Sequence, residues 1–187
     1  GDPRMTKMDG GRVDGRIEGR AARAFAAVEA LKRGEIVLLY DFDDREGETD
    51  LVIGAEFVTP EHVWRLRRDA GGLICVAIDP VASSNLGLPY FADVLKFAVS
   101  SAKGGEDGNG SGNESGDGEG FGAIDALCER VGDIPYDSRS SFSLWVNHRN
   151  TFTGITDLDR ALTISRIAEV ARSAMNGGGV SFAEEFR

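Results

Sequence analysis

The apolar positions of this chain fall into blocks whose spacing changes from one block to the next. Ile17, Ala21, Ala22, Phe25, Val28 and Leu31 recur at helical spacing, and Gly34 stands where a C-terminal cap is expected; an amphipathic helix is predicted from Ile17. EIVLLYD (35–41) reads as a buried strand and DLVIGAEF (50–57) as a second, with a polar loop between them. Thr59 before Pro60 opens a helix over about 60–70 that Gly71 and Gly72 end. LICVAID (73–79) is a third apolar strand, IDALCER (124–130) a short helix, and FSLWVNH (142–148) a fourth strand. DLDRALTISRIAEVARSA (157–174) is a helix with Leu158, Ala161, Ile164, Ile167, Ala168 and Val170 on its apolar side, and Gly177 to Gly179 stop it. Strands and helices are interspersed without strict alternation, which predicts an α+β fold, a mixed β-sheet covered by helices. No internal repeat is evident.

Two stretches carry no such pattern. Residues 1–16, GDPRMTKMDGGRVDGR, are polar and Gly-rich and are expected to form a disordered tail; the chain begins with Gly1 and not Met, which points to a processed, tagged or incomplete N-terminus. Residues 101–120, SAKGGEDGNGSGNESGDGEG, offer nothing whose burial could offset the entropy of ordering, and read as a flexible, salt-adapted insertion in a surface loop. The rest, 17–187, is of a size for one domain, and an apolar content of 41 % supports a globular core.

Charge narrows the function. A formal net charge of -10 would repel nucleic acid and anionic membranes alike. No apolar run approaches the roughly 20 residues that cross a bilayer, and no signal-peptide core is seen, so a soluble cytoplasmic protein is expected. Two cysteines, Cys75 and Cys128, and two histidines, His62 and His148, are too few for a disulfide framework or a zinc cluster. Any metal should be a hard cation on carboxylate oxygens.

The chemistry concentrates in DFDDREGETD (41–50), which places six acidic side chains within ten positions between two strands. A solvated turn is the plain reading of such a loop. Rigid flanks on both sides nevertheless keep the carboxylates together, and crowded negative charge costs stability unless a cation offsets it. An EF-hand is excluded, because counting from Asp41 its sixth and twelfth places hold Glu46 and Val52 where Gly and Glu are needed. A magnesium site is compatible: one or two carboxylates, several waters, and positions left for substrate oxygens. Arg45 within the run can meet an anionic substrate or hold a carboxylate.

YDFDDREGETDLVIGAEFVTPEH, RRDAGGLICVAI and DIPYDSRSSFSLWVNHRNTFTGITDLDRALTI are long, ordered blocks, and together they resemble 3,4-dihydroxy-2-butanone 4-phosphate synthase, in particular its archaeal form, from about Ala24 to Arg187. The resemblance implies a three-layer α/β sandwich working as a homodimer. It implies a lyase of riboflavin biosynthesis that converts D-ribulose 5-phosphate to 3,4-dihydroxy-2-butanone 4-phosphate and formate with Mg2+ or Mn2+. It implies Glu46 as metal ligand; Glu46, Asp50 and Cys75 as catalytic; and Arg45, Asp41, Glu48 and Thr153 beside them as substrate contacts. Enediolate intermediates fit that arrangement, since a cation bridging two oxygens stabilises their charge and carboxylates move protons.

Simpler readings stand beside these. Cys75 in an apolar strand also fits a small core residue, and Thr153-Gly154 an ordinary turn. His148 has no paired ligand at metal spacing, His62 suits a helix cap, and Asp159 and Arg160 at a helix start suit a structural role. The resembling family continues past EFR with a Pro-Gly-His segment and an Arg-x-Gly-His-Thr-Glu motif that supplies a further metal ligand and phosphate contacts. The chain is therefore expected to be an inactive fragment; the alternative is a non-catalytic metal- or sugar-phosphate-binding module.

Overall fold

The computed structural model describes residues 10–103, 122–178 and 181–187. Its first helix, α1 (Gly10–Lys32), starts seven residues before the predicted Ile17, so residues 10–16, read as tail, are helical. Once a helix is nucleated, each added residue costs little, and this extension needs no apolar stripe. The rest of the predicted tail, 1–9, lies outside the described residues. The stripe itself is mostly solvent-facing: Phe25 and Val28 are exposed, and only Ala27, Ala30 and Leu31 are half-buried. Gly34 ends the helix at φ 76°, as predicted, with Phe57 so close that an added Cβ would stand 2.9 Å from it.

Strands β1 (Val37–Tyr40) and β2 (Thr49–Val52) pair antiparallel, with Val37 opposite Val52, Leu39 opposite Asp50 and Tyr40 opposite Thr49. The predicted second strand stops early because the chain turns at Gly54 into a 3₁₀ turn, Ala55–Phe57. Neither is β1 the buried strand expected: Leu38 is 71 % exposed and Leu39 59 %, since only one of its edges and little of its faces are covered. Helix α2 (Pro60–Arg65) follows the predicted start. Thr59 accepts a hydrogen bond from the His62 N–H, and His62 Nδ1 accepts one from the Thr59 N–H, so His62 is a capping residue. A π turn, Leu66–Ala70, carries it to Gly71 at φ 72°.

The predicted strands 73–79 and 142–148 form no ladder among the described residues, apart from a single antiparallel bridge from His148 to Phe186. A strand is defined by its partners as much as by its own pattern. The period-2 signal is nonetheless present, for Ile74, Val76 and Ile78 turn inward while Leu73 and Cys75 face out. Helices α3 (Pro80–Asn85) and α4 (Phe91–Lys103), which the sequence reading did not assign, follow, and α5 (Gly122–Leu127) overlaps the first four residues of the short helix expected over 124–130. Between them, 104–121 lie outside the described residues, and with them nearly all of the predicted insertion.

The spine is α6 (Asp157–Met175). Its upper half packs Ala161 and Ile164 with Val58 and Val63, and its lower half packs Ile167 and Val170 with Phe186; Val76 touches both groups. Each such valine, isoleucine or phenylalanine side chain contributes about 1.5–3 kcal/mol when fully buried. Leu158, predicted on the apolar side, is exposed, and the polar Asp159 and Thr163 are buried instead. A last helix, α7 (Phe182–Glu185), brings the final residues back against 147–149. The architecture is an incomplete α+β fold: helices and extended segments around α6, with a small antiparallel sheet at one side. No helix among the described residues is long and apolar enough to cross a membrane.

Candidate functional site

The acidic run forms the loop of the β1–β2 hairpin, 41–48, and its fold is set by Asp41. One Asp41 oxygen accepts the Glu48 N–H at 2.9 Å, the other the Glu46 N–H at 3.0 Å, and the Asp41 N–H bonds the Glu48 carbonyl at 3.2 Å. Partial burial works against this carboxylate's charge, but the two backbone donors and Arg45 outweigh it and hold Asp41 below the usual aspartate range. Asp41 is thus committed to the loop's backbone.

Arg45 binds three carboxylates. Its Nη1 lies 3.2 Å from Asp41 and 3.3 Å from Glu46, and its Nη2 lies 2.8 Å from Asp137. The guanidinium also stands 5.3 Å from the centre of the Tyr136 ring, and the Tyr136 hydroxyl bonds Glu46. That bond, with the nearby charge, pushes the Tyr136 phenol above its ordinary value. Arg45 and the two backbone donors to Asp41 offset part of the negative charge for which the sequence reading expects a divalent ion. Tyr40 adds a hydroxyl contact to Asp43.

Asp50 sits on β2 opposite Leu39, and its charge reaches Cys75 on the neighbouring extended segment. Partial enclosure and then Asp50 push the Cys75 thiol up, so at neutral pH it is a protonated donor and not a thiolate. The structure therefore brings Asp41, Arg45, Glu46 and Glu48 onto one loop and couples Asp50 with Cys75 beside it. Thr153 is differently employed. Its hydroxyl donates to Asp159 at 3.3 Å and accepts the Ile155 N–H at 3.2 Å.

Asp159 organises that second turn. It is buried and accepts from the backbone of Phe152, Thr153 and Gly154 at 3.3, 3.0 and 2.9 Å. Burial opposes its charge, but these donors prevail and hold the carboxyl below its ordinary value. Gly154 has φ 77°, and a Cβ there would lie 2.1 Å from Asn147 Oδ1. Gly154→Ala is expected to cost about 1–3 kcal/mol, through the left-handed backbone and the displaced Asn147; urea unfolding checks this, and a loss under about 0.5 kcal/mol would contradict it.

The residues sequence reasoning missed are Tyr136 and Asp137. They lie in a polar stretch without periodicity, 92 positions from the arginine that Asp137 binds, and no local pattern marks a long-range ion pair. His148, read as lacking a metal-spaced partner, is buried with Nε2 3.1 Å from Glu185, which Arg166 also holds at 3.0 and 3.1 Å. Among the described residues no three of His, Cys, Asp and Glu converge closely enough to hold a metal ion. Glu46, partly exposed, fits the single carboxylate that a magnesium-type ion accepts alongside water and substrate oxygens.

The sequence profile described as 3,4-dihydroxy-2-butanone 4-phosphate synthase matches residues 25–182. A curated relative of that name from Methanosarcina acetivorans is 48 % identical over 161 residues, which are 86 % of this chain and 58 % of the relative. Another from Archaeoglobus fulgidus is 50 % identical over 161 residues, 86 % of this chain and 59 % of the relative. The chain thus spans about three fifths of the length of these curated relatives. A crystal structure of a 3,4-dihydroxy-2-butanone 4-phosphate synthase in cation-free form matches with a TM-score of 0.50 at 23 % identity, over 86 % of this chain and 51 % of that one, a likeness of fold alone.

Proposed function

Because the chain belongs to the 3,4-dihydroxy-2-butanone 4-phosphate synthase family, we propose that it carries the acidic-loop part of a carbon–carbon lyase site. The reaction is conversion of D-ribulose 5-phosphate to 3,4-dihydroxy-2-butanone 4-phosphate and formate, a step of riboflavin biosynthesis. One observation supports this above the rest: Asp41 and the hairpin hold Arg45, Glu46 and Glu48 together on one short loop beside Asp50 and Cys75. A cytoplasmic homodimer belongs to the same proposal.

Each residue has a role its surroundings allow. Arg45 orients an anionic group of the substrate, and Asp41 fixes the turn that presents it. Glu48 and Asp50 are the proton carriers, taking a proton from carbon or hydroxyl and returning it as the enediolates form and collapse. The Cys75 thiol, held protonated, donates a hydrogen bond to a sugar oxygen. Thr153 meets a sugar hydroxyl only after its own hydroxyl turns from Asp159. Glu46 would hold Mg2+ or Mn2+; when bound, such an ion neutralises charge developing on two substrate oxygens.

Among the described residues no three of His, Cys, Asp and Glu converge on a cation site, so the 187-residue chain alone is expected to release no formate. The function is tested in a chimera. The 161 matched residues replace their counterparts in the Methanosarcina acetivorans relative, and formate is measured with ribulose 5-phosphate and Mg2+. Formate release matching substrate consumption is the expected result. A folded chimera that binds the sugar phosphate without turnover would instead favour a binding module.

A further inference from the structure

Arg45 is assigned above to an anionic group of the substrate, yet in this structure it is already surrounded by carboxylates. Asp41, Glu46 and Asp137 all lie within 3.3 Å of its two terminal nitrogens, leaving the cluster negative. An incoming phosphate or enediolate meets repulsion unless one of the three withdraws.

The three are not equally free to go. Asp41 is pinned by the N–H groups of Glu46 and Glu48. Glu46 is adjacent to Arg45 in sequence and moves with the same loop. Asp137 alone comes from a distant segment. That segment is fastened at its two ends: the Glu129 carboxylate accepts the Ser140 N–H at 2.9 Å, and Arg139 pairs with Asp93 at 2.9 Å while stacking on Tyr90 at 4.1 Å. Between these anchors Val131 is fully exposed, Gly132 adopts φ 92°, and Tyr136 is 43 % exposed. The middle is held to the hairpin by the Asp137–Arg45 pair, the Tyr136–Glu46 hydrogen bond and the ring–guanidinium contact.

We propose that Asp137 is a resident anion on Arg45. It occupies the guanidinium edge that the ligand's anionic group takes, so residues 129–140 form a strap that anion binding lifts. The idea rests on the reading of Arg45 as the anion-meeting residue and deepens it, by naming the internal group with which the substrate must compete. Tyr136 shares the strap, so lifting it also frees Glu46. An exposed ion pair is weak, which bounds the competition at about fivefold.

The test uses the full chain and inorganic phosphate, followed by calorimetry at low salt. Asp137→Asn is expected to bind phosphate about three- to fivefold more tightly than the parent, and the double variant Asp137→Asn with Arg45→Gln is expected to lose that gain. Amide hydrogen exchange gives an independent readout: saturating phosphate should speed exchange across 131–138 in the parent while 49–52 stay protected. Equal or weaker binding by Asp137→Asn, absent binding by both proteins, or unchanged exchange across 131–138 each overturns the proposal. Ribulose 5-phosphate separates it from the functional reading. If Asp137→Asn gains affinity for phosphate but neither protein binds ribulose 5-phosphate, the strap stands and the substrate assignment falls.

Discussion

Glu46→Ala in the chimera with the Methanosarcina acetivorans relative is expected to lower formate release by about 10²- to 10³-fold, the range seen when one preorganised electrostatic contact is removed from a site. Asp41 has both oxygens on backbone N–H groups, whereas Glu46 is bound by groups that can let go, an arginine of its own loop and a phenol of the strap. Glu46→Gln separates charge from shape. The amide keeps an acceptor for the Tyr136 hydroxyl and about the same volume, so the loop should keep its form. If the carboxylate charge is what counts, Glu46→Gln falls as far as Glu46→Ala; if it only props up the loop, the glutamine variant stays near the parent. Turnover within threefold of the parent in both variants would remove Glu46 from the mechanism.

That Asp41, Arg45, Glu46 and Glu48 share one hairpin loop was legible in the sequence because the constraint is local. Two apolar runs flanking a ten-residue acidic stretch leave few ways to close the turn, and Asp41, Arg45, Glu46 and Glu48 had to be neighbours in any of them. What composition could not show was how the loop tolerates its charge. That depends on the Arg45 guanidinium lying between Asp41 and Glu46, and on an aspartate satisfying backbone donors, which a charge count treats as uncompensated. Thr153 shows the same limit from the other side. The Thr-Gly turn is visible, but whether its hydroxyl faces a ligand or Asp159 is decided by the buried start of α6.

The fold divides along a similar line. Helix signals that rest on adjacent residues held: Thr59-Pro60, Gly34, Gly71 and the long stripe of α6 all act where predicted. Strands that need a partner elsewhere did not all become ladders. Segment 73–79 alternates in burial as a strand does, yet among the described residues it rests on α6 without a paired edge. The exposed Leu38, Leu73 and Trp145 belong to these extended segments, where alternation marks an apolar face but not what covers it. α4 was overlooked although its apolar positions recur at helical spacing.

Phe186→Ala is expected to be the most destabilising single change in the chain, at about 3–5 kcal/mol against a total of about 5–15 kcal/mol for an ordinary domain. Phe186 is 3 % exposed, stacks on Phe182 at 4.4 Å between ring centres, and meets the His148 ring edge-on at 5.8 Å. It closes the lower half of the core with Ile167 and Val170, and its removal leaves a cavity that α6 cannot collapse to fill. The loss should be local first. Asn147 and Arg149 donate their N–H groups to the carbonyls of Arg187 and Glu185 at 2.8 and 2.9 Å, so these two amides should lose hydrogen-exchange protection before those of α6. Acid should act on the same strand. Arg166, and after it His148, hold the Glu185 carboxyl below its ordinary value, so its contribution is complete above about pH 4.3 and is lost as pH falls through the depressed folded value. Exchange at Asn147 and Arg149 in the parent, corrected for the intrinsic pH dependence, should therefore rise between pH 5 and pH 3, and in Glu185→Gln it should show little such rise. A Phe186→Ala protein that unfolds within 1 kcal/mol of the parent, with both amides still protected, would show that the final residues only lean on the core and do not close it.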